Sequence, residues 1–179
     1  MSWNFETEHF FIRLPVSDED GNALYNLLSQ NSTVAHIPRL PMTVEAQALD
    51  ELRRIAMRFE TREAAFWLIE RKSDGQVVAR IGVQYINWMM LNAQLQWELS
   101  AECGLEELQE VLPVIVNYLS DDLHLHRLEM RLRTGSDDQN NMLIALGFSH
   151  EGTLPSQMEF EGEDIDLDLY SLLKGELKI

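Results

Sequence analysis

Residues Ala93–Leu119 constrain this chain more than any other stretch. Leu95, Trp97 and Leu99 alternate with Gln94, Gln96 and Glu98, the period of a half-buried strand. From Leu105, apolar residues return at Leu108, Val111, Leu112, Ile115 and Leu119, close to the 3.6-residue helical period. Only Ser100–Gly104 separate the two patterns. A strand that turns this tightly into a helix leaves the helix's first N–H groups and its positive dipole end facing outward, which suits an anion.

The rest of the chain supplies a frame for that unit. His9–Leu14 reads as a first strand, and Ser17–Asp20 as a helix start ahead of Ala23, Leu24, Leu27 and Leu28. After Pro38 and Pro41, Thr43 is expected to cap a helix over Val44–Glu60. Strands follow at Ala65–Arg71 and Gln76–Trp88, joined through Ser73-Asp74-Gly75, and Met89–Asn92 turns the chain into the Ala93 strand. Beyond the central helix come a strand at Arg127–Arg133 and a short helix at about Gln139–Leu146, with Ser136 as its cap and Gly147 as its stop. Two more strands end the chain, the last over about Asp166–Leu173. The expected order is β-α-α-β-β-β-α-β-α-β-β, an α/β domain around one mixed, mostly antiparallel sheet.

With 179 residues and no linker or repeat, a single domain over 1–179 is expected. No apolar run reaches the length of a membrane span, the first residues lack the pattern of a signal peptide, and Cys103 is the lone cysteine. The cytoplasm is the expected compartment. Fourteen Lys and Arg against thirty Asp and Glu give a net charge of −16. Such a field disfavours nucleic acid and anionic membranes and favours a cationic acceptor, such as an amine on a basic protein tail. The alternative is that the acidity serves solubility alone. His124 and His126 lack a third ligand at useful spacing, so no metal site is expected.

Four segments, in this order, resemble the GNAT superfamily of acetyl-CoA-dependent N-acetyltransferases, and within it the RimJ/RimL-like branch that acetylates ribosomal-protein N-termini. They are R-I-G-V-Q-Y-I-N-W at Arg80–Trp88, L-H-R-L-E-M-R at Leu125–Arg131, A-L-G-F-S-H-E-G at Ala145–Gly152 and D-L-D-L-Y-S-L-L at Asp166–Leu173. The resemblance implies an acetyltransferase using acetyl-CoA on the N-terminal amine of a protein or peptide, such as a ribosomal protein, or on another small amine; a monomer or homodimer is expected. It implies that backbone N–H groups from Trp97 to Leu99 face the thioester, with Glu98 the nearest carboxylate to take a proton through water. Otherwise Glu98 is an ordinary solvent-facing strand residue. It also implies a pyrophosphate turn around Gly104, Leu105 and Glu106. Ser136 and Gln139 fall where the family carries the Asn and Ser that contact the CoA arm or the reacting end. Trp88 and Trp97 line either an acceptor groove or the core.

The turn departs from the family's Q/R-x-x-G-x-G/A. Glu106 stands at the second glycine position, no Lys or Arg lies between Arg80 and Arg127, and Leu143 falls near the place of the tyrosine acid of many relatives. Glu106 and Glu107 are expected to compete with pyrophosphate for the same amides. A non-catalytic binding module on the same fold is therefore the alternative function. Cys103, beside two carboxylates, is not expected to act as a nucleophile.

Overall fold

The computed structural model describes residues 2–178. One eight-stranded sheet runs in the order β1 (Phe5–Glu6), β2 (Phe10–Arg13), β3 (Ala65–Arg71), β4 (Val77–Asn87), β5 (Asn92–Leu99), β6 (Arg127–Arg133), β8 (Glu163–Leu173), β7 (Ser149–Phe160). Every neighbouring pair is antiparallel except β5 and β6. That pair is joined by a helical crossover, α4 (Leu105–Asn117), which a π-helical turn at Tyr118–Asp122 extends. The expected α/β architecture is present, with a short additional strand at the N-terminus and a four-residue helix, Asn31–Val34, between the two expected helices.

The alternation along β5 sorts its residues between two cores. Ala93, Leu95, Trp97 and Leu99 face α4 and α5 (Asp137–Leu146), packing on Leu108, Val111, Leu112, Leu143 and Leu146. On the opposite face, α1 (Gly21–Leu28), α2 (Asn31–Val34) and α3 (Glu45–Glu60) cover Phe66 and Leu68 of β3 with Leu24, Leu28, Leu52 and Ile55. Gly82 of β4 allows the Phe66 ring to lie against the backbone, since a Cβ there would stand 2.0 Å from the ring.

Helix starts differ from the sequence reading. Val44, not Thr43, holds the cap position of α3, and the Gln47 side chain reaches back to accept the Thr43 N–H at 2.7 Å. α5 begins at Asp137 because its first-turn carboxylates suit the helix dipole, and Ser136 caps it by position while its hydroxyl donates to the Arg133 carbonyl at 2.8 Å. β8 begins at Glu163. Gly147 ends α5 at φ +100°, as expected of a left-handed helix stop.

Candidate active site

The parallel pair β5–β6 is short. Asn92, Ala93 and Gln94 pair with Arg127, Leu128 and Glu129, after which the strands diverge. Ser100 N–H donates to Val78 of β4, so even-numbered β5 residues turn their backbone groups toward β4. Trp97 and Leu99 therefore turn theirs into the gap. His36, in the segment after α2, crosses it. Its Nε2 bonds the Trp97 carbonyl at 2.7 Å, and its own carbonyl accepts from Arg133 N–H of β6 at 2.9 Å. Burial holds the imidazole below its ordinary pKa, so at neutral pH Nε2–H donates and Nδ1 keeps its lone pair, with no partner among the described residues. One residue thus braces the two diverging strands.

The other side of β5 carries a hydrogen-bonded column. Gln84 donates to Gln96 at 2.8 Å, and Gln96 donates to Glu98 at 2.8 Å. Arg80, directly opposite on β4, grips both Glu98 oxygens at 2.7 and 3.0 Å and reaches Glu51 of α3 at 2.9 Å. Its guanidinium also lies 4.7 Å over the Phe66 ring. Arg80 and Glu98 are fully buried. Burial alone would raise both carboxyls, but the arginines outweigh it, holding Glu98 below the ordinary value and Glu51 at about 2. Glu98 is therefore neither a solvent-facing residue nor a free proton acceptor, because Arg80 and Gln96 occupy its oxygens. The sequence offered two clues to this column: an arginine inside the apolar run of β4, and a glutamate on the apolar stripe of α3.

At the far end of β5 lies the turn. Gly104 N–H donates to Glu107 Oε2 at 2.8 Å, and the first intrahelical bond is Leu108 N–H to the Gly104 carbonyl. The N–H groups of Leu105, Glu106 and Glu107 precede the ladder and point out of the helix end. The carboxylate that occupies the turn is thus Glu107's, while Glu106 is exposed. Arg71, at the end of β3, pairs with Glu102 at 3.0 Å and brings a cation to a turn that has none in its own sequence. Cys103 is buried, and burial followed by the charge of Glu107 pushes its thiol up to about 12, leaving it protonated.

Several expected contributors sit elsewhere. The Trp97 indole lies in the core, edge-on to Phe148, and donates to Gln139 Oε1 at 2.7 Å, so Gln139 anchors the central strand. Trp88 donates to the Arg62 carbonyl, with the Arg62 guanidinium over its ring. Neither tryptophan lines the groove that opens beside the gap. That groove, about 400 Å³, is walled by Gln84, Tyr85, Gln94, Gln96, Arg131 and Gln157, with Ile37 and Pro38, just after His36, as its lip. No cluster of three metal-ligating side chains occurs among the described residues.

The splayed strand pair, the N–H groups at the start of α4 and the groove all lie along β5 and the turn that follows it. Residues 10–149 match the acetyltransferase (GNAT) domain family. The chain belongs to that family, and is an acetyltransferase with acetyl-CoA as co-substrate. It is 24% identical to the uncharacterized N-acetyltransferase YoaA of Bacillus subtilis, over 94% of this chain and 96% of that protein. The ribosomal-protein-S5-alanine acetyltransferase of Vibrio fischeri superposes with a TM-score of 0.80 at 18% identity, covering 99% of this chain and all of that one. RimL, the ribosomal L7/L12 alpha-N-protein acetyltransferase solved with coenzyme A, superposes at 0.81 with 14% identity, over 93% and 95% of the two chains.

Proposed function

We propose that this chain acetylates the N-terminal amine of a protein or peptide in the cytoplasm. The observation that carries the reading is the gap itself, where the main-chain N–H groups of Trp97 and Leu99 face away from β4. Acetyl-CoA bound there would supply a thioester whose carbonyl carbon takes the neutral amine nitrogen; as the C–S bond breaks, the proton lost by that nitrogen passes to the departing sulfur and CoA leaves as the thiol. The Trp97 and Leu99 N–H groups stand roughly 6.6 Å apart along the strand, so one of them donates to the carbonyl oxygen as negative charge develops on it and the other is left for the cofactor arm; a single donor of this kind is worth roughly 10²–10³ in kcat. His36 keeps that edge of β5 at a fixed distance from β6. Glu98 acts at second hand, fixing Gln96 and the strand. Ser136 and Gln139 likewise serve by holding β6 and Trp97. Support for a protein acceptor comes from the two ribosomal-protein acetyltransferases of the same fold.

The turn accommodates pyrophosphate through the N–H groups of Gly104, Leu105 and Glu106, with Glu107 as the competitor. The non-catalytic alternative rests on the altered turn, with Glu106 at the second glycine position, no basic residue in its sequence and competing carboxylates, and family membership favours the enzyme. Glu107→Gln retains a side chain able to accept from Gly104 N–H but removes the charge. It is expected to tighten acetyl-CoA binding about two- to fivefold, the equivalent of roughly 0.3–1 kcal/mol at a helix N-terminus. Calorimetric titration of both proteins reads this; equal affinities would take the turn out of the cofactor site. Release of CoA thiol from acetyl-CoA in the presence of N-terminal peptides tests the activity.

A further inference from the structure

The groove beside the gap differs in charge from the rest of the molecule. Thirty of the 179 residues are acidic, yet the described residues lining this groove include no carboxylate and one formal charge, Arg131. Four glutamines, Gln84, Gln94, Gln96 and Gln157, supply neutral donors and acceptors around it. The register Gln94↔Glu129 places Arg131 beside Gln96, on the same face of the sheet as the column and next to the point where β5 and β6 part. Its Nε is buried and has no partner among the described residues. Its Nη2 forms only a loose ion pair with Glu129 Oε1 at 3.6 Å, while Glu129 Oε2 accepts from Arg127 Nε at 2.9 Å. A second arginine stiffens the far wall: Arg58 donates to Gln84 at 3.2 Å and lies 5.3 Å over the Tyr85 ring.

The Arg131 side chain is 34% exposed and lines the groove, so its terminal nitrogens can be reached there, and a guanidinium fork fits a carboxylate or phosphate. Resting on the acetyltransferase reading, we propose that the acceptor carries an anionic group close to its amine, an acidic residue just after the N-terminus, which Arg131 receives while the glutamines bond the peptide. This reverses the expectation of a basic acceptor. That expectation came from the net charge, but the excess carboxylates lie outside the groove, many of them on the exposed β7–β8 hairpin at Glu159–Asp164. The long-range field sets how often an acceptor arrives; the groove sets which one fits.

The test is a panel of N-terminal peptides alike except for Asp-Glu, Ala-Ala or Lys-Arg after the first residue, each assayed for acetyl transfer and, with a C-terminal fluorophore, for binding by anisotropy without acetyl-CoA. The intact protein is expected to favour the acidic peptide at least tenfold over the basic one in kcat/KM. Arg131→Gln is expected to bring the acidic-to-neutral ratio near one, and Arg131→Lys to restore part of it. Transfer with no charge preference, or a loss in Arg131→Gln that is equal for all three peptides, overturns the proposal and leaves the acetyltransferase reading standing. If no peptide is acetylated, that reading fails, and anisotropy still decides the groove. Tighter binding of the acidic peptide that Arg131→Gln abolishes supports the proposal; binding that ignores charge, or no binding, overturns it.

Discussion

Arg80→Met is expected to destabilise the protein by about 3–5 kcal/mol, because it leaves Glu98 and Glu51 buried without their shared cation. For a domain of this size that corresponds to a Tm lower by roughly 6–20 °C. The arginine forms bonds to three carboxylate oxygens from β5 and α3 and has no exposed surface, so water cannot replace it. Removing all three charges at once, with Arg80→Met, Glu98→Gln and Glu51→Leu, is expected to recover much of the loss, since buried ion triads often exchange for packed neutral side chains at little cost. Acid distinguishes the proteins further. Glu51 is held at about 2 against an ordinary 4.5, so its contribution is complete above 4.5 and disappears as pH falls toward 2. In Arg80→Met Glu98 loses its cation and gains by protonation, while Glu51 keeps Arg39 and Arg54 beside it, so the acid limb should flatten. Thermal melts from pH 7 to pH 3 check both points.

His36→Ala is expected to lower kcat by about 100-fold, the scale on which a displacement near 1 Å at a reacting centre acts. The imidazole and main chain of this one residue tie Trp97 of β5 to Arg133 of β6, across the gap where the strands have ceased to pair. Without the tie, no main-chain pairing links Trp97 to β6 among the described residues, and the indole bond to Gln139 is what still holds it on that side. His36→Gln, whose amide can donate to the Trp97 carbonyl from a similar reach, should recover most of the rate. A role confined to filling space would give the opposite order, with Gln no better than Ala. Rates with acetyl-CoA, read beside the Tm of each variant, separate the brace from stability.

Strand and helix periods made most of this fold legible. β5 and α4 carry their apolar residues at the expected positions, and the turn between them lies where the alternation stops. What periodicity could not show were contacts between segments far apart in sequence. His36 lies 61 residues from its partner Trp97, in a stretch with no repeating pattern. The anchoring role of Gln139 has no local signal, because the indole it holds belongs to β5. Glu98 read as an exposed position because strand alternation reports a face of the sheet, and the cation covering that face, Arg80, is known only once β4 and β5 are paired. Net charge is a different kind of signal: it sums over the surface, whereas an acceptor meets one groove, and the peptide panel decides between the two.

The most direct measurement is a calorimetric titration of the purified protein with acetyl-CoA, paired with its thermal shift. At a thousand times Kd a ligand adds about 4.1 kcal/mol, which for this size raises Tm by roughly 8–16 °C. One equivalent bound at micromolar acetyl-CoA, weakened in His36→Ala and strengthened in Glu107→Gln, is the expected result. No heat and no shift at millimolar acetyl-CoA would contradict the assignment of the gap between β5 and β6 as the acetyl-CoA site.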